Sequence, residues 1–413
     1  MPASHGSPPN GTAQPGTDCE VAIVGGGPVA LVLALILSRA GVAVELFERA
    51  ATVERDLRAS TFHPPTLDML DELGLAGDML AGGLVCPHWQ IRLHPSGDRA
   101  VFDLSILAGD TRHPFRLQFE QWKLSELLHA RLAAEGLARV NMGAEAVDIA
   151  QDDLGVTLTV DHGGMRRSMR ARFLVGADGA RSMVRTALGL DFTGMTYPET
   201  TILATTTFPF EAHLDGLSNV SYCWKDGGNF SLLRVPGRWR VSIYPREDLA
   251  LEDQLAPDAI EAALQDIVPR PAPYEVQEVR PYRVHQRIVP RYSHGRVALA
   301  GDAAHLNSPA GGMGLNGGIH DALELAAALT DMLRRGARTE RLELYERRRR
   351  PVAQEQILAQ ADRNRARMRE KDPARRREIL AGLQAVAADR TRLHEYLLRT
   401  SMIEGLRQAA LVA

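Results

Sequence analysis

Three carboxylates in this 413-residue chain stand at the same kind of place, at the end of a short apolar run. Glu48 closes the run at 42–47, Asp178 follows Phe173-Leu174-Val175-Gly176-Ala177, and Asp302 follows Val297-Ala298-Leu299-Ala300-Gly301. Short apolar runs read as parallel strands buried on both faces. Each carboxylate is thereby an acceptor at a strand exit, where open α/β sheets bind ligands.

The first acid belongs to a larger pattern. Residues 19–24 read as a strand, Gly25-Gly26-Gly27-Pro28-Val29-Ala30 as a turn, 28–39 as a helix and 42–47 as a second strand. Glu48 comes 23 positions after Gly25 (48 − 25 = 23). In a dinucleotide site Gly25 makes the turn, Gly27 admits the pyrophosphate and small Ala30 lets helix and strand pack closely. Glu48 accepts from a ribose hydroxyl.

After Asp302 the run 305–318 holds five glycines and little bulk. Ala322, Leu325, Ala326, Leu329 and Leu333 then recur at helical spacing from about Asn316, with Gly336 as the stop. The N-terminus of that helix faces the glycine loop, and its free N–H groups suit a negative or electron-rich group. A tight strand-to-helix connection with no ligand is the plain alternative.

The rest of the chain must hold these sites in place. Leu67, Leu70, Leu73 and Leu75 outline a short helix, and residues 121–133 a longer one. Arg58 is a surface charge or a phosphate ligand; Gln121 is a helix-entry residue or a ligand. Short strands around 147–149 and 156–160 lead to the Asp178 strand, after which a basic helix carries Arg181 and Arg185. Residues 193–285 have another texture, with aromatic and β-branched runs at 203–208, 220–224, 230–235 and 239–244 broken by glycine turns. They read as an antiparallel sheet whose aromatics are core or ligand wall. From 339 onward the chain is helical, and its basic runs alternate with glutamates as on a solvated, salt-bridged helix.

Composition narrows the class. Apolar content of 45% with 24% charge is that of a globular protein, and a net charge of −3 offers nucleic acid or an anionic membrane no general attraction. The longest apolar segment, 29–37, is too short to cross a bilayer. Cys19, Cys86 and Cys223 form no CxxC, which argues against disulfides and zinc and for a reducing cytoplasm. Residues 1–18 lack the basic start and apolar core of a signal peptide and read as a disordered lead. No metal site is expected.

In order and approximate spacing the three stretches resemble those of the FAD-dependent aromatic hydroxylases of the para-hydroxybenzoate hydroxylase class, single-component flavoprotein monooxygenases. The resemblance covers about residues 19–350. It implies a Rossmann-like FAD-binding domain with a parallel sheet (19–85, 116–192 and 286–338), a mainly antiparallel β-sheet substrate domain (86–115 and 193–285) and C-terminal helices (339–413). The implied reaction is hydroxylation of a phenol-like or heteroaromatic molecule with NAD(P)H and O2, through a flavin C4a-hydroperoxide shielded from water. A quinone precursor, polyketide or antibiotic as substrate, or a flavin reductase, is compatible with the same fold. The halogenase W-x-W-x-I-P signature is absent.

By that resemblance Gly25, Gly27, Pro28, Val29, Ala30, Glu48 and Arg49 hold the ADP half of FAD, and Arg58, Gln121, Asp178 and Asp302 make further FAD contacts. Pro309, Gly312, Gly314, Leu315 and Asn316 line the flavin ring, with no side-chain acid or base assigned. FAD is expected to be non-covalent, since no His or Cys is marked for attachment. With one dinucleotide fingerprint only, NAD(P)H must bind transiently. The family's substrate tyrosines and arginine have no placed counterparts here, and Tyr222, Trp224, Arg234, Tyr244 and Arg287 are the candidates. A monomer or homodimer, with a small aromatic substrate, O2 and NAD(P)H as its only partners, completes the expectation.

Overall fold

The computed structural model describes residues 17–56, 59–136, 138–246 and 248–413. Most of the expected N-terminal lead, and Arg58, lie outside them.

Cys19–Val24 forms the middle of a mixed sheet. It pairs in parallel with Val44–Glu48 on one side and Met165–Gly176 on the other, and Ala138–Met142 and Val297–Leu299 extend the parallel run outward. Ala144–Gln151 and Val156–His162 add an antiparallel hairpin extension. All three strands that carry the acids therefore run the same way and open at the same edge. The helix Pro28–Arg39 is apolar nearly all round, and Leu31, Leu33, Leu35 and Leu37 are wholly buried beneath helix Gly314–Arg334. An all-round apolar helix of this kind is stable only inside a protein.

The second sheet is mainly antiparallel, in the order His305–Leu306, Val276–Ile288, Thr193–Thr206, Arg238–Ile243, Gly228–Val235, Val220–Lys225, His88–Leu93, Arg99–Asp103. Its single parallel pairing, Val220–Lys225 with His88–Leu93, joins the segment before residue 115 to the segment after 193. A small third sheet has the order Thr61–Phe62, Arg116–Gln118, Leu84–Cys86.

Several boundaries differ from the periodicity. The helix expected from Asn316 begins at Gly314, because glycines leave no apolar mark on its first turn. The run Leu67 to Leu75 divides into Pro64–Glu72 and Ala76–Gly82 at Gly74, whose φ of +73° ends the first helix. The C-terminal helices lie on the second sheet, where Leu380, Leu383, Leu393, Leu397 and Ile403 form one core with Trp89, Ile91 and Phe102.

Candidate active site

The edge that carries the three acids opens into a cavity of about 790 Å³ that continues to the antiparallel sheet. Gly25, Gly27, Glu48, Asp178 and Asp302 line one end, and Tyr222, Ser231, Arg240, Tyr244 and Tyr282 the other. Between them lie Pro309, Ala310, Gly312, Met313, Gly314 and Leu315 of the glycine loop.

Each glycine of the first turn is required for a different reason. Gly25 has φ +111°, and a Cβ there would lie 2.4 Å from the Ala177 carbonyl oxygen. The first and second acidic elements are thus packed backbone to backbone. At Gly26 a Cβ would fall 2.7 Å from Cβ of Glu48, whose carboxylate accepts from the amides of Gly26 (2.6 Å) and Ala50 (2.8 Å). Gly27 is the opposite case: a Cβ would meet nothing within 4 Å, because this position faces open cavity. Val29 and Pro28 also line the wall, while Ala30 is fully buried and serves close packing. Arg49 is exposed at the same end, and Gln121 lines the cavity at the start of its helix while its amide donates to the Ala59 carbonyl.

Asp178 accepts through Oδ2 from the amides of Met183 (2.7 Å) and Val184 (3.2 Å), and its buried Oδ1 has no protein partner. Burial pushes its carboxyl above the ordinary value, against the pull of Ser182 and these amides. An unpaired oxygen in this position is suited to a ligand hydroxyl. Arg181 is exposed on the cavity wall, but Arg185 is turned inward: it donates to the carbonyls of Ala303 (3.0 Å) and Ala180 (2.8 Å) and stacks on Phe192.

The glycine loop is clamped from behind. Asn316, which the resemblance places at the flavin ring, is fully buried and absent from the cavity wall. Its Oδ1 accepts from the His63 amide (2.9 Å), and Nδ2 donates to the carbonyls of Thr61 (2.9 Å) and Gly312 (2.7 Å). Its side chain braces the loop instead. A His63 ring nitrogen bonds the Gly311 carbonyl at 2.8 Å, and burial with the nearby Arg116 charge keeps this imidazole well below its usual pKa. Deeper still, Asp321 takes Arg349 at 2.8 Å on one oxygen and His305 at 2.8 Å on the other, which also receives the Gly301 amide. This buried network joins the Asp302 turn, the loop and two helices. The N-terminus of the 21-residue helix Gly314–Arg334 has no side-chain cap and points its free amides toward the cavity.

Of the five candidate substrate residues, the structure brings Tyr222 and Tyr244 to the cavity. Tyr244 is 37% exposed, and burial of its hydroxyl raises its pKa. The other three lie elsewhere. Trp224 is wholly buried, with Nε1 donating to the Arg367 carbonyl; Arg234 pairs with Glu211 at 2.8 Å; Arg287 donates to Thr196 Oγ1 at 3.2 Å. Alternation along a strand cannot tell a cavity wall from a face covered by a distant helix. Arg240, Ser231, Ser242 and Tyr282 also line the cavity, and strand alternation marks none of them as doing so.

The FAD binding domain family matches residues 18–360 of this chain. Para-nitrophenol 4-monooxygenase of Pseudomonas sp. strain WBC-3 is 35% identical over 392 residues, 94% of this chain and 96% of that protein. The 6-hydroxy-3-succinoylpyridine 3-monooxygenase of Pseudomonas putida strain DSM 28022 / S16 is 33% identical over 332 residues, 80% of this chain and 84% of that one. The crystal structure of p-nitrophenol 4-monooxygenase from Pseudomonas putida DLL-E4 superposes with a TM-score of 0.88 at 33% identity, covering 95% and 98% of the two chains. The chain belongs to the FAD-dependent aromatic hydroxylases. It is a flavoprotein monooxygenase, and the residues of its cavity fit FAD: an open glycine at the pyrophosphate position, an orphaned Asp178 oxygen and an uncapped helix terminus.

Among the described residues no helix is long and apolar enough to cross a membrane, and no group of His, Cys, Asp and Glu could hold a metal ion.

Proposed function

We propose that this protein hydroxylates a small phenol or heteroaromatic ring, taking electrons from NAD(P)H and oxygen from O2. The observation that carries this reading is the continuity of one cavity from the dinucleotide turn, past the loop Pro309 to Gly314, to a wall of three tyrosines. Bound non-covalently, FAD would supply the electrons that activate O2 for transfer of one oxygen atom to the ring. The protein's own residues do the rest. Gly25, Gly27, Glu48, Asp178 and Asp302 would hold the cofactor's ribose, pyrophosphate and ribityl groups, and the amides opening helix Gly314–Arg334 would stabilise negative charge on the reduced ring.

The aromatic wall orients the substrate ring and excludes water, so that the activated oxygen is not lost. Arg49, Arg181 and Arg283, all exposed on the cavity margin, give the transient nicotinamide cofactor's phosphates a positive approach. The phenol and hydroxypyridine in the names of two relatives support this substrate class. The decisive experiment incubates FAD-loaded protein with NADH or NADPH and a panel of phenols and hydroxypyridines, following cofactor consumption and product mass. A product one oxygen heavier, in proportion to cofactor consumed, is expected. Oxidation of neither cofactor in the presence of any ring in the panel would refute the proposal.

A further inference from the structure

The loop between the two ends of the cavity has a donor on every carbonyl from Ser308 to Gly312. Asn307 Nδ2 donates to the Ser308 carbonyl at 2.7 Å, and the Gly312 amide to that of Pro309 at 2.9 Å. His63 and Asn316 take those of Gly311 and Gly312, at 2.8 and 2.7 Å. The carbonyl of Ala310 is served from elsewhere. Its donor is Asn364 Nδ2 at 3.3 Å, on helix Ala359–Met368, and Asn364 lies beyond the residues 18–360 matched to the FAD binding domain family.

Gly311 is shaped to this contact. Its φ is +103°, and a Cβ there would lie 2.9 Å from Asn364 Nδ2, so only glycine leaves room for the amide. A glycine also offers little backbone resistance to rotation of the Ala310–Gly311 peptide. The side chains that grip the two carbonyls must therefore hold it, His63 from one flank and Asn364 from the other.

Asn364 is itself held in orientation. Its Oδ1 accepts from Gln360 Nε2 at 2.9 Å, and Gln360 Oε1 accepts from Arg363 Nη2 at 2.7 Å, which turns the Asn364 nitrogen toward Ala310. The helix that carries all three is fixed to the antiparallel sheet. Strand Thr193–Thr206 breaks register between Thr196 and Thr200, and two side chains from this irregularity, Tyr197 and Glu199, reach across to it. Tyr197 Oη donates to Asp362 at 2.7 Å, with the Arg365 guanidinium 3.7 Å over its ring. Glu199 pairs with Arg365, and with Arg369 at 2.7 Å.

We propose that Asn364 is a positioning residue for oxygen transfer: it ties the Ala310 carbonyl to a helix mounted on the antiparallel sheet, and so keeps the loop wall shut against water during hydroxylation. The inference rests on the aromatic-hydroxylase reading and concerns where the electrons end. In the productive reaction NAD(P)H, H+, O2 and the ring give NAD(P)+, water and the hydroxylated ring. When water enters, NAD(P)H, H+ and O2 give NAD(P)+ and H2O2, and the ring is unchanged. Asn364 does not line the cavity and acts on this choice through Ala310, which does.

The test supplies FAD-loaded protein with NADH or NADPH and the phenol or hydroxypyridine of the panel above that the native enzyme hydroxylates fastest. Peroxide and hydroxylated product are both counted, at equal flavin content. Asn364→Asp keeps the size of the side chain and the acceptor for Gln360 but has no donor for Ala310. The ratio of peroxide to product should rise about fivefold, the change in loop population that one lost hydrogen bond commands. Asn364→Ala, which adds no charge, should raise it likewise. A merely structural role would lower the melting temperature of these variants without moving the ratio. An unchanged ratio in FAD-loaded Asn364→Asp overturns the proposal, and Asn364→Ala decides in the same way if the first variant does not fold or hold FAD. Native, FAD-loaded protein that oxidises NADH or NADPH yet hydroxylates no ring of the panel overturns the aromatic-hydroxylase reading, and this inference with it.

Discussion

Asn316→Leu separates two readings of one residue. If Asn316 lined the flavin ring, the substitution would alter the flavin spectrum and leave the apoprotein as stable as before. The structure gives the opposite expectation. The amide is fully buried and makes three hydrogen bonds, to the His63 amide and to the Thr61 and Gly312 carbonyls. Leucine nearly conserves the shape but strands one donor and two acceptors. An unsatisfied buried polar group costs about 1 to 3 kcal/mol, so with partial relief by water the sum is roughly 3 to 5 kcal/mol. That is a large share of the roughly 5 to 15 kcal/mol that typically holds a folded protein together. Urea unfolding of the apoprotein, followed by far-UV circular dichroism, measures it directly. FAD affinity should weaken as well, since the clamp on Gly312 is lost. A stability change below about 1 kcal/mol with a shifted flavin spectrum would refute the brace.

Gly25→Ala introduces a Cβ 2.4 Å from the Ala177 oxygen at φ +111°, so the protein should lose FAD and melt many degrees lower; a native melting temperature with full flavin content would contradict the packing. Asp302→Ala removes an acceptor at the strand exit and should weaken FAD binding by about 1.5 to 3 kcal/mol, roughly ten- to a hundredfold, as read by flavin fluorescence titration. Burial holds His320 at a pKa of about 3, beside the Arg349 charge. The unfolded chain takes up that proton near pH 6.5 and the native state does not, so stability is full above pH 6.5 and lost as pH falls toward 3, by up to about 1.4 kcal/mol per pH unit for each such histidine. His63 adds a contribution of the same sign. His320→Gln should make the acid side of the stability profile shallower, and an unchanged slope between about pH 6.5 and 4.5 would rule this out.

The cofactor end was legible because its chemistry is local. Glycine, acid and apolar strand recur within short windows, and their spacing alone orders three strands and two helices around one edge. What the windows could not show is which partner waits at each residue. Asn316 follows Gly314 and Leu315 directly, yet the side chain turns to a segment some 250 positions away in sequence, with His63 at a separation of 253. Gly26 has no role in the dinucleotide spacing, and what requires a glycine there is the Glu48 side chain packed against it. The substrate end was harder still. Tyr222 and Trp224 share a face of one strand, but the helix Ala359–Met368 covers only the second, through the Arg367 carbonyl. Arg116, in the short strand Arg116–Gln118, carries no sequence signal at all, since burial of a charge over the Trp89 ring is a property of the assembled fold.

The sheet that builds the cofactor end has a consequence for how the protein is made. Its strands come from residues 19–24, 44–48, 138–142, 165–176 and 297–299, and the Asp321 network is completed only by Arg349. A ribosome that has finished the dinucleotide turn has therefore produced a site with no far wall. Until the last parallel strand and its helix emerge, the apolar helix Pro28–Arg39 lacks its cover and one edge of the sheet stays unpaired. The topology implies that flavin loading follows translation, and that the nascent chain is at its most aggregation-prone while the antiparallel sheet is being synthesised. Ribosome-bound chains stalled before Val297 should hold no FAD, whereas released full-length chains should take it up.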